Sequence, residues 1–218
     1  FWCADNEVSG YLDSWIQYLD TPSITVGNGG EFSSRIYYAI EDATGPFVDG
    51  SCTDGWDAAN IRISIDGGST WVLLEDPLNP YDFDCGYGWI YNDDKYEEGG
   101  ALNHLAKGWG DKSGSWLDFS SDLTDYTGEN VIIRFAFGSD PAYSTVDDNL
   151  LTGFQVDDIS VSDESGVLFS NNADDLMEMS ASGEVWISQY YDYGSTEENR
   201  PGSAAWEAYW PGMPFNGN

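Results

Sequence analysis

Two stretches near the middle of the chain decide the fold: WLDFSSDLTDYTGENVIIRFAFGSD at residues 116–140 and GFQVDDISV at residues 153–161. From Val131 onward, every second residue of the first stretch is large and apolar, which is the period of a strand that buries one face. The second stretch is also β-rich, but Asp157 and Asp158 interrupt its apolar pattern. Because a buried carboxylate is costly unless something binds it, we expect a bound group or a hydrogen-bond donor at this strand.

Short strand-like segments continue this pattern toward both ends of the chain. Residues 60–65 place three isoleucines on one face, and an Asp-Gly-Gly turn at residues 66–68 leads into a second strand at residues 70–75, which is a strong hairpin signal. No long amphipathic helical pattern occurs. Seven or more short strands therefore predict an all-β fold, a two-sheet antiparallel β-sandwich of the jelly-roll type.

The domain organisation follows from where this strand pattern stops. Residues 1–175 are assigned to the sandwich, with a long aromatic loop insertion at residues 76–113. Residues 176–218 form an aromatic C-terminal extension. This extension is expected to pack on the sandwich as a lid, to pair with a neighbouring subunit, or to begin another module.

The chain is strongly acidic, with 39 Asp and Glu against seven Lys and Arg and a formal net charge of −32. Such a surface repels phosphate backbones and anionic headgroups, so nucleic-acid binding and membrane-surface binding are not expected. The charge suits cations or a saline milieu, and solubility in salt is the simpler explanation for most of it. No apolar run has the length of a membrane span, so membrane insertion is not expected. The start without Met indicates a processed or excised piece.

The three cysteines predict one disulfide if the protein is secreted. Cys52 and Cys85 lie in loops rich in Gly and Asp, where a bridge would close an extended connection. Cys3 is an alternative partner for either of them. The spacing of the cysteines does not match a zinc site.

The order of the motifs resembles that of known secreted modules. The relevant stretches are FWCADNEVSGYLDSWIQYLDTPSITV at residues 1–26, GWDAANIRISIDGGSTWVLLE at residues 55–75 and the two quoted above. Together they are similar to the jelly-roll module that follows the catalytic domain of immune inhibitor A-type bacterial metallopeptidases, and to MAM-like and cleaved-adhesin modules. The resemblance spans residues 1–175. It implies a non-catalytic, often calcium-bound β-sandwich attached to a secreted enzyme or adhesin.

The interrupted strand predicts a cation site, because calcium takes about six to eight oxygen ligands from carboxylates, carbonyls and water. Asp157 shares its phase with Ile159 and is the leading inward ligand, whereas Asp158 points to the opposite face. Asp140 ends the preceding strand and is expected to lie near Gly153 across a hairpin. The alternative is that Asp157 caps backbone amides or pairs with an arginine, Arg134.

The resemblance adds the N-terminal segment to this cation site, because in the related modules that segment and the Asp-Asp strand hold the cation together. By that resemblance alone, the ligand set would also include Asp5, Asn6 and Glu7. Other acidic loops, such as the turn with Asp54 and Asp57, are interpreted as solvated turn residues. None of them matches a twelve-residue EF-hand loop.

The insertion at residues 76–113 predicts a carbohydrate site, because exposed Trp and Tyr rings form flat apolar platforms for sugars. The alternative is that the rings fold back as a satellite core beneath the loop. The predicted platform residues are Tyr87, Trp89, Tyr91, Tyr96 and Trp109.

Catalysis has little support in the sequence, since His104 is the single histidine and the known zinc, nucleophile-elbow and phosphate-loop motifs are absent. The favoured function is a secreted, calcium-stabilised module that binds a glycan or a component of the cell surface or extracellular matrix. The first alternative is a self-associating extracellular subunit of a filament or surface layer. The second is a jelly-roll glycosidase. Such enzymes use two carboxylates, but in a chain with 39 acids a pair at a suitable separation is expected by chance and is no evidence for the activity.

Overall fold

A computed structural model describes residues 1–44, 55–89, 96–97, 101–102, 104–174, 176, 178–185 and 206–207. Within these ranges the regular structure is β-strand and short 3₁₀ turns, which confirms the all-β prediction. The strands are β1 (Trp2–Cys3), β2 (Trp15–Asp20), β3 (Ile24–Thr25), β4 (Glu31–Ala39), β5 (Ala58–Ser64), β6 (Val72–Leu73), β7 (Tyr96–Glu97), β8 (Ala101–Leu102), β9 (Leu117–Asp122), β10 (Asn130–Gly138), β11 (Gly153–Asp163), β12 (Gly166–Asn171), β13 (Ser180–Val185) and β14 (Trp206–Glu207).

Two antiparallel sheets pack face to face, as the sequence predicts. The first sheet has the strand order β14-β1-β11-β4-β9, with β12 also paired to β11. The second has the order β13-β2-β10-β5-β6, with β3 beside β10. Strands that follow each other in the chain often lie in different sheets, which is the connectivity of jelly rolls. A separate two-stranded hairpin joins β7 and β8.

The buried face of β10 lies at the centre of the core, and its alternation confirms the prediction from the sequence. Val131, Ile133 and Phe135 are completely buried, while Arg134 between them is partly exposed. They share one apolar cluster with the inward residues of β11, among them Val156. Each such side chain contributes roughly 1.5–3 kcal/mol to folding by leaving water.

Strand β5 is buried on both faces, because part of the insertion at residues 76–113 packs on the face away from the core. The predicted hairpin to β6 is present, and its turn uses Gly67 and Gly68 at φ of 74° and 91°. On the face away from the core, the Asn60 side chain donates to the carbonyls of Leu105 and Lys107, at 3.0 and 2.8 Å. Parts of the insertion therefore cover the outer face of the second sheet.

Parts of the C-terminal extension continue both sheets. Strand β13 pairs with β2 from Ser180↔Asp20 to Val185↔Trp15, and the short β14 pairs with β1. These two strands lie along sheet edges that would otherwise present unpaired backbone groups. Most of the remaining extension lies outside the described residues.

Candidate functional site

Three carboxylates meet at one end of the sandwich. Glu41 lies two residues after β4, Asp57 directly precedes β5, and Asp140 lies two residues after β10. One oxygen of each lies within 4.8 Å of the others. The topology produces this meeting, because β5 and β10 are antiparallel neighbours with Ala58 paired to Gly138, so the start of one strand adjoins the end of the other.

The central carboxylate is inaccessible to solvent. Asp57 is 0 % exposed and Asp140 is 5 % exposed, whereas Glu41 is partly exposed. The Asp140 backbone N–H donates to Asp57 Oδ1 at 2.8 Å, and the Glu41 N–H donates to the Tyr11 hydroxyl oxygen at 3.1 Å. Asp140 Oδ1 accepts the N–H of Ala142 at 2.9 Å. Backbone groups therefore fix one oxygen of each aspartate.

Burial and mutual repulsion disfavour negative charge at all three positions. Desolvation, followed by the nearby Asp140 charge, raises the pKa of Glu41 to about 8. Desolvation also raises the pKa of Asp140 to about 6. The pKa of Asp57 lies well above its ordinary range because of burial, with the Asp140 charge acting in the same direction. A cation would offset this cost directly.

Additional oxygens surround the three carboxylates. Asp13 precedes β2, and its pKa is raised by desolvation and by the charge of Asp147 in the loop after β10. The described residues contain six buried side-chain N or O atoms that make no hydrogen bond of good geometry, and four of them belong to this end of the sandwich, where the Tyr11 hydroxyl still interacts with Asp57 and the Ser144 hydroxyl with Asp13. Those four atoms are Asp13 Oδ1, Glu41 Oε2, Asp57 Oδ2 and Ser144 Oγ.

This concentration of buried oxygens fits a hard cation. The Tyr11 hydroxyl interacts with Asp57 and the Ser144 hydroxyl with Asp13, but neither neutralises the three carboxylates that converge here, and a bound cation would. All the donors are carboxylate or hydroxyl oxygens, which calcium prefers, and the set lacks the nitrogen and sulfur ligands typical of zinc. The residues present therefore suit a calcium ion whose shell is completed by water.

The structure places Asp157 and Asp158 away from this site. The register between β11 and β4 shifts between Asp157 and Ser160, and Asp158 has a φ of 48°, so a bulge interrupts the strand here. The bulge adds a residue, and Val156 and Ile159 both point inward while Asp157 is partly exposed and Asp158 exposed. The prediction that Asp157 shares the inward phase of Ile159 is therefore wrong.

The two aspartates have local partners instead. Asp157 Oδ1 accepts the backbone N–H of Asp158 at 2.8 Å, and Asp158 lies 3.8 Å from an Arg35 guanidinium nitrogen. The predicted alternative partner, Arg134, forms a two-pronged ion pair with Asp20 at 2.7 and 2.8 Å. The alternative prediction for Asp157 is therefore right in that Asp157 binds a backbone amide, and wrong in that Arg134 pairs with Asp20 instead.

Of the six predicted ligands, Asp140 lies in the carboxylate cluster. The hairpin expected between Asp140 and Gly153 is wrong, because β10 and β11 belong to different sheets and Gly153 pairs with Ala39. Asp5 accepts the N–H of Glu7 at 2.7 Å in its own turn. Among the described acids, the close cluster includes neither Asp5 nor Glu7. Asn6 stays a prediction.

The N-terminal segment nevertheless contributes to this end of the sandwich, through residues that the sequence did not single out. Trp2 and Cys3 pair with β11, and the chain then brings Tyr11 and Asp13 to the carboxylates. Tyr11 is fully buried, and its pKa is raised by desolvation and by the neighbouring Asp57.

Two of the predicted carbohydrate platform residues belong to the core. Trp89 is 0 % exposed beneath the Arg62 guanidinium, at 4.7 Å, and Trp109 is 1 % exposed against Tyr81. Neither can present a ring to a sugar. Trp89 lies in a small separate apolar cluster, as the satellite-core alternative predicts, whereas Trp109 packs in the principal core. Tyr87 is half-buried beside Trp56. Tyr91 and the side chain of Tyr96 lie outside the described residues.

The cysteine prediction is narrowed by the structure. Cys3 is a buried free thiol, which removes it as a disulfide partner, and burial raises its pKa. Cys85 is buried, and Cys52 lies outside the described residues. A bridge between Cys52 and Cys85 stays a prediction.

Glu41, Asp57 and Asp13 share a signal that the sequence contains. Each stands within two residues of a strand end, next to a run of buried residues, and not at the tip of a loop. The sequence interpretation treated Asp57 as solvated because a Gly-Trp-Asp turn is usually exposed. These acids can be grouped only when the order of the strands in the two sheets is known, because that order decides which strand ends lie next to each other.

Comparison with models of known protein families gave no match, and comparison with curated proteins gave none either. Within the described parts of the chain, no helix has the length and apolarity required to cross a membrane.

Proposed function

We propose that this chain is a non-catalytic, calcium-stabilised β-sandwich module of a larger secreted protein, and that it binds a component of the cell surface or extracellular matrix. The observation that carries the cation is the convergence of Glu41, Asp57 and Asp140, whose carboxylate oxygens lie within 4.8 Å of one another while Asp57 is completely buried. Their chemistry is that of a calcium shell, and burial makes the site too costly to maintain as bare charges.

The position of the cluster supports a structural role for the ion. Glu41 follows a strand of the first sheet, whereas Asp57 and Asp140 flank strands of the second. Asp13 lies at the start of β2. An ion held by these groups joins the two sheets and the N-terminal segment at one end of the core, and calcium binding then adds directly to the free energy of unfolding.

The same geometry argues against a catalytic pair of carboxylates. A general acid or base must come within hydrogen-bond distance of the substrate atom that it protonates or deprotonates. Asp57 is 0 % exposed, and one of its oxygens is held by the Asp140 amide. A polysaccharide chain cannot reach it, so the glycosidase alternative is not supported at this cluster.

Thermal unfolding in calcium and in chelator tests the proposed cation. Extracellular modules bind calcium with dissociation constants of about 10⁻⁴–10⁻³ M, so a few millimolar calcium adds about 1–2 kcal/mol. For a chain of this size the melting temperature should rise by about 2–8 °C. Asp57→Asn should abolish the rise, because it removes the central anionic ligand.

Asp125→Asn provides the matched control, since it makes the same chemical change at an exposed position. It should keep the full calcium response. The cation proposal fails if wild type melts at the same temperature in calcium and chelator, or if both variants respond alike. Isothermal titration of the wild type with calcium gives the stoichiometry independently of folding.

The binding part of the proposal is tested separately. A glycan array probed with wild type and with Tyr87→Ala examines the remaining carbohydrate prediction, because Tyr87 is the one platform residue whose described ring is partly exposed. Loss of a specific glycan signal on substitution would support it. Equal signals would remove the insertion as the carbohydrate site.

A further inference from the structure

The loop between β10 and β11, which begins with Asp140 of the carboxylate cluster, presents exposed apolar side chains. Tyr143, Val146 and Leu150 are 50 %, 68 % and 64 % exposed. The described residues contain nine exposed large hydrophobic side chains, and three of them fall within this short segment. We call these three residues the loop patch. Clustered exposure of this kind marks an interaction surface, whereas single exposed apolar residues are ordinary.

Hydrogen bonds to buried groups anchor the backbone of this loop, so the exposure of the three side chains follows from a fixed backbone conformation. Thr145 is buried, its hydroxyl accepts the Tyr11 N–H at 2.8 Å, and it also bonds the carbonyl of Leu151. The Asp148 N–H donates to the Ser144 carbonyl at 3.1 Å. Because these anchors fix the backbone before a partner arrives, docking costs little conformational entropy.

Tyr143 shows the effect of these anchors most clearly. Its φ is 66°, a left-handed conformation that a bulky non-glycine residue seldom adopts. The residues on either side are held, since the Ala142 N–H donates to Asp140 Oδ1 at 2.9 Å and Ser144 is buried. The strain is tolerated because the neighbours are fixed, and it leaves the Tyr143 ring half-exposed.

The same contacts couple the loop patch to the cation. Asp140 and Ser144, which bracket Tyr143, are among the groups proposed to face the ion. Asp147, one residue after Val146, contributes to the raised pKa of Glu41 and so lies within electrostatic reach of the cluster. Without a cation, repulsion among these carboxylates acts on the segment that positions the loop patch.

Charge determines what kind of partner can dock here. Asp147 and Asp148 stand among the loop patch residues, on a chain whose formal net charge is −32. Lys112 lies 3.8 Å from Asp148 and offsets that charge, so Asp147 and the strongly negative chain as a whole set the negative potential here. A second copy of the chain or an anionic surface would be repelled. Complementarity requires a positively charged partner with apolar side chains to cover the loop patch.

We propose that the loop patch docks a basic protein segment carrying apolar side chains, and that the cation beneath it holds the loop in the docking conformation. The cation dependence rests on the function proposed above. The existence of the docking surface rests on the exposed side chains, their anchors and the surrounding charge.

Three synthetic peptides of equal length probe this surface: alternating Lys-Leu, alternating Lys-Ser and alternating Glu-Leu. Titration calorimetry at physiological ionic strength, in calcium and in chelator, measures each affinity. The Lys-Leu peptide should bind the calcium-loaded protein about tenfold or more tightly than the Lys-Ser peptide, because only the former covers the apolar side chains. The Glu-Leu peptide should not bind.

Two triple variants with unchanged net charge locate the binding. Tyr143→Ser/Val146→Ser/Leu150→Ser should weaken Lys-Leu binding about tenfold or more. Val72→Ser/Leu78→Ser/Val167→Ser changes exposed apolar residues elsewhere and should leave the affinity unchanged. Equal affinity for both variants overturns the proposal, and binding of the Glu-Leu peptide overturns its charge requirement.

The effect of calcium separates a docking surface from simple charge attraction. If only charge acted, calcium would weaken binding by reducing the negative potential. We expect calcium to strengthen Lys-Leu binding several-fold, and equal or weaker binding in calcium overturns the coupling. The melting response to calcium, measured on the loop-patch variant, keeps the two proposals distinct, because it should persist even where peptide binding is lost.

Discussion

The stability of the protein without calcium should fall as the pH rises from about 4 to 8, and calcium should reverse this fall. The pKa values of Asp140 and Glu41 are raised by burial to about 6 and about 8. The folded chain therefore holds protons that the unfolded chain releases. The stability from these groups is present below pH 4 and is lost as the pH passes through their folded-state pKa values.

The magnitude follows from the shift at Asp140. An increase from 3.8 to about 6 corresponds to about 3 kcal/mol, since one pKa unit is about 1.4 kcal/mol. Glu41 acts in the same direction but is partly exposed, so solvent screening reduces its effect. At pH 4 the unfolded-state carboxyl is already about half ionised, so about four fifths of this is lost between pH 4 and 7. With about 2–4 °C per kcal/mol, Asp140 alone should lower the calcium-free melting temperature by about 5–10 °C over that interval.

The assay is a series of thermal unfolding curves at half-unit pH steps, each in calcium and in chelator. Calcium displaces the protons, so the difference between the two melting temperatures should widen with pH. Acids with lowered pKa values, such as Asp66 and Asp122, act below pH 4 and do not interfere. Repulsion among surface acids also grows with pH, but it lowers the melting temperature in calcium and in chelator alike, so it does not change the difference between the two.

The Asp57→Asn variant provides the decisive comparison, because it removes one of the repelling carboxylates together with a ligand. It should be at least as stable as wild type in chelator at pH 8, and its two melting curves should coincide at every pH. If the wild-type melting temperatures in calcium and in chelator differ by the same amount from pH 5 to 8, the proposed linkage is refuted. A calcium-free stability that rises across that interval would refute it as well.

Three further outcomes are expected from the described contacts. Asp20→Asn should destabilise the protein by about 1–3 kcal/mol in denaturant unfolding, because it breaks the two-pronged pair with Arg134, whose guanidinium also stacks on Trp71 at 3.9 Å. Phe135→Ala should cost about 3–5 kcal/mol in the same assay, since Phe135 is 0 % exposed in the centre of the core. Mass spectrometry of a non-reduced digest should show a peptide pair joined through Cys52 and Cys85, and free thiols at both positions would contradict that prediction.

The strands were predictable because their apolar periods are local. The alternation from Val131 to Phe137 and the hairpin around Gly67 and Gly68 both follow from neighbouring residues, and the structure confirms them. The interrupted strand was more difficult, because a bulge at Asp158 changes the phase of the residues after it. A period-two pattern cannot show in advance where a residue has been inserted.

The aromatic insertion could be interpreted in two ways from composition alone. Trp89 packs beneath a buried arginine, Arg62, and Trp109 packs in the principal core beside Tyr38 and Tyr81. A platform for sugars and a layer covering a sheet use the same residue types. The difference is whether another element covers the rings, and only the packed structure contains that information.

The sequence by itself determined the fold class, the strand periods and the acidic surface, because hydrophobic period, turn residues and net charge are properties of short segments or of composition. It also predicted a cation at Asp157, which the structure instead leaves with a backbone partner. Only the tertiary structure brought Glu41, Asp57 and Asp140 together, since they are far apart in the chain and meet where strand ends from two sheets adjoin. The proposed cation site and the loop patch above it are consequences of strand order, which local pattern does not encode.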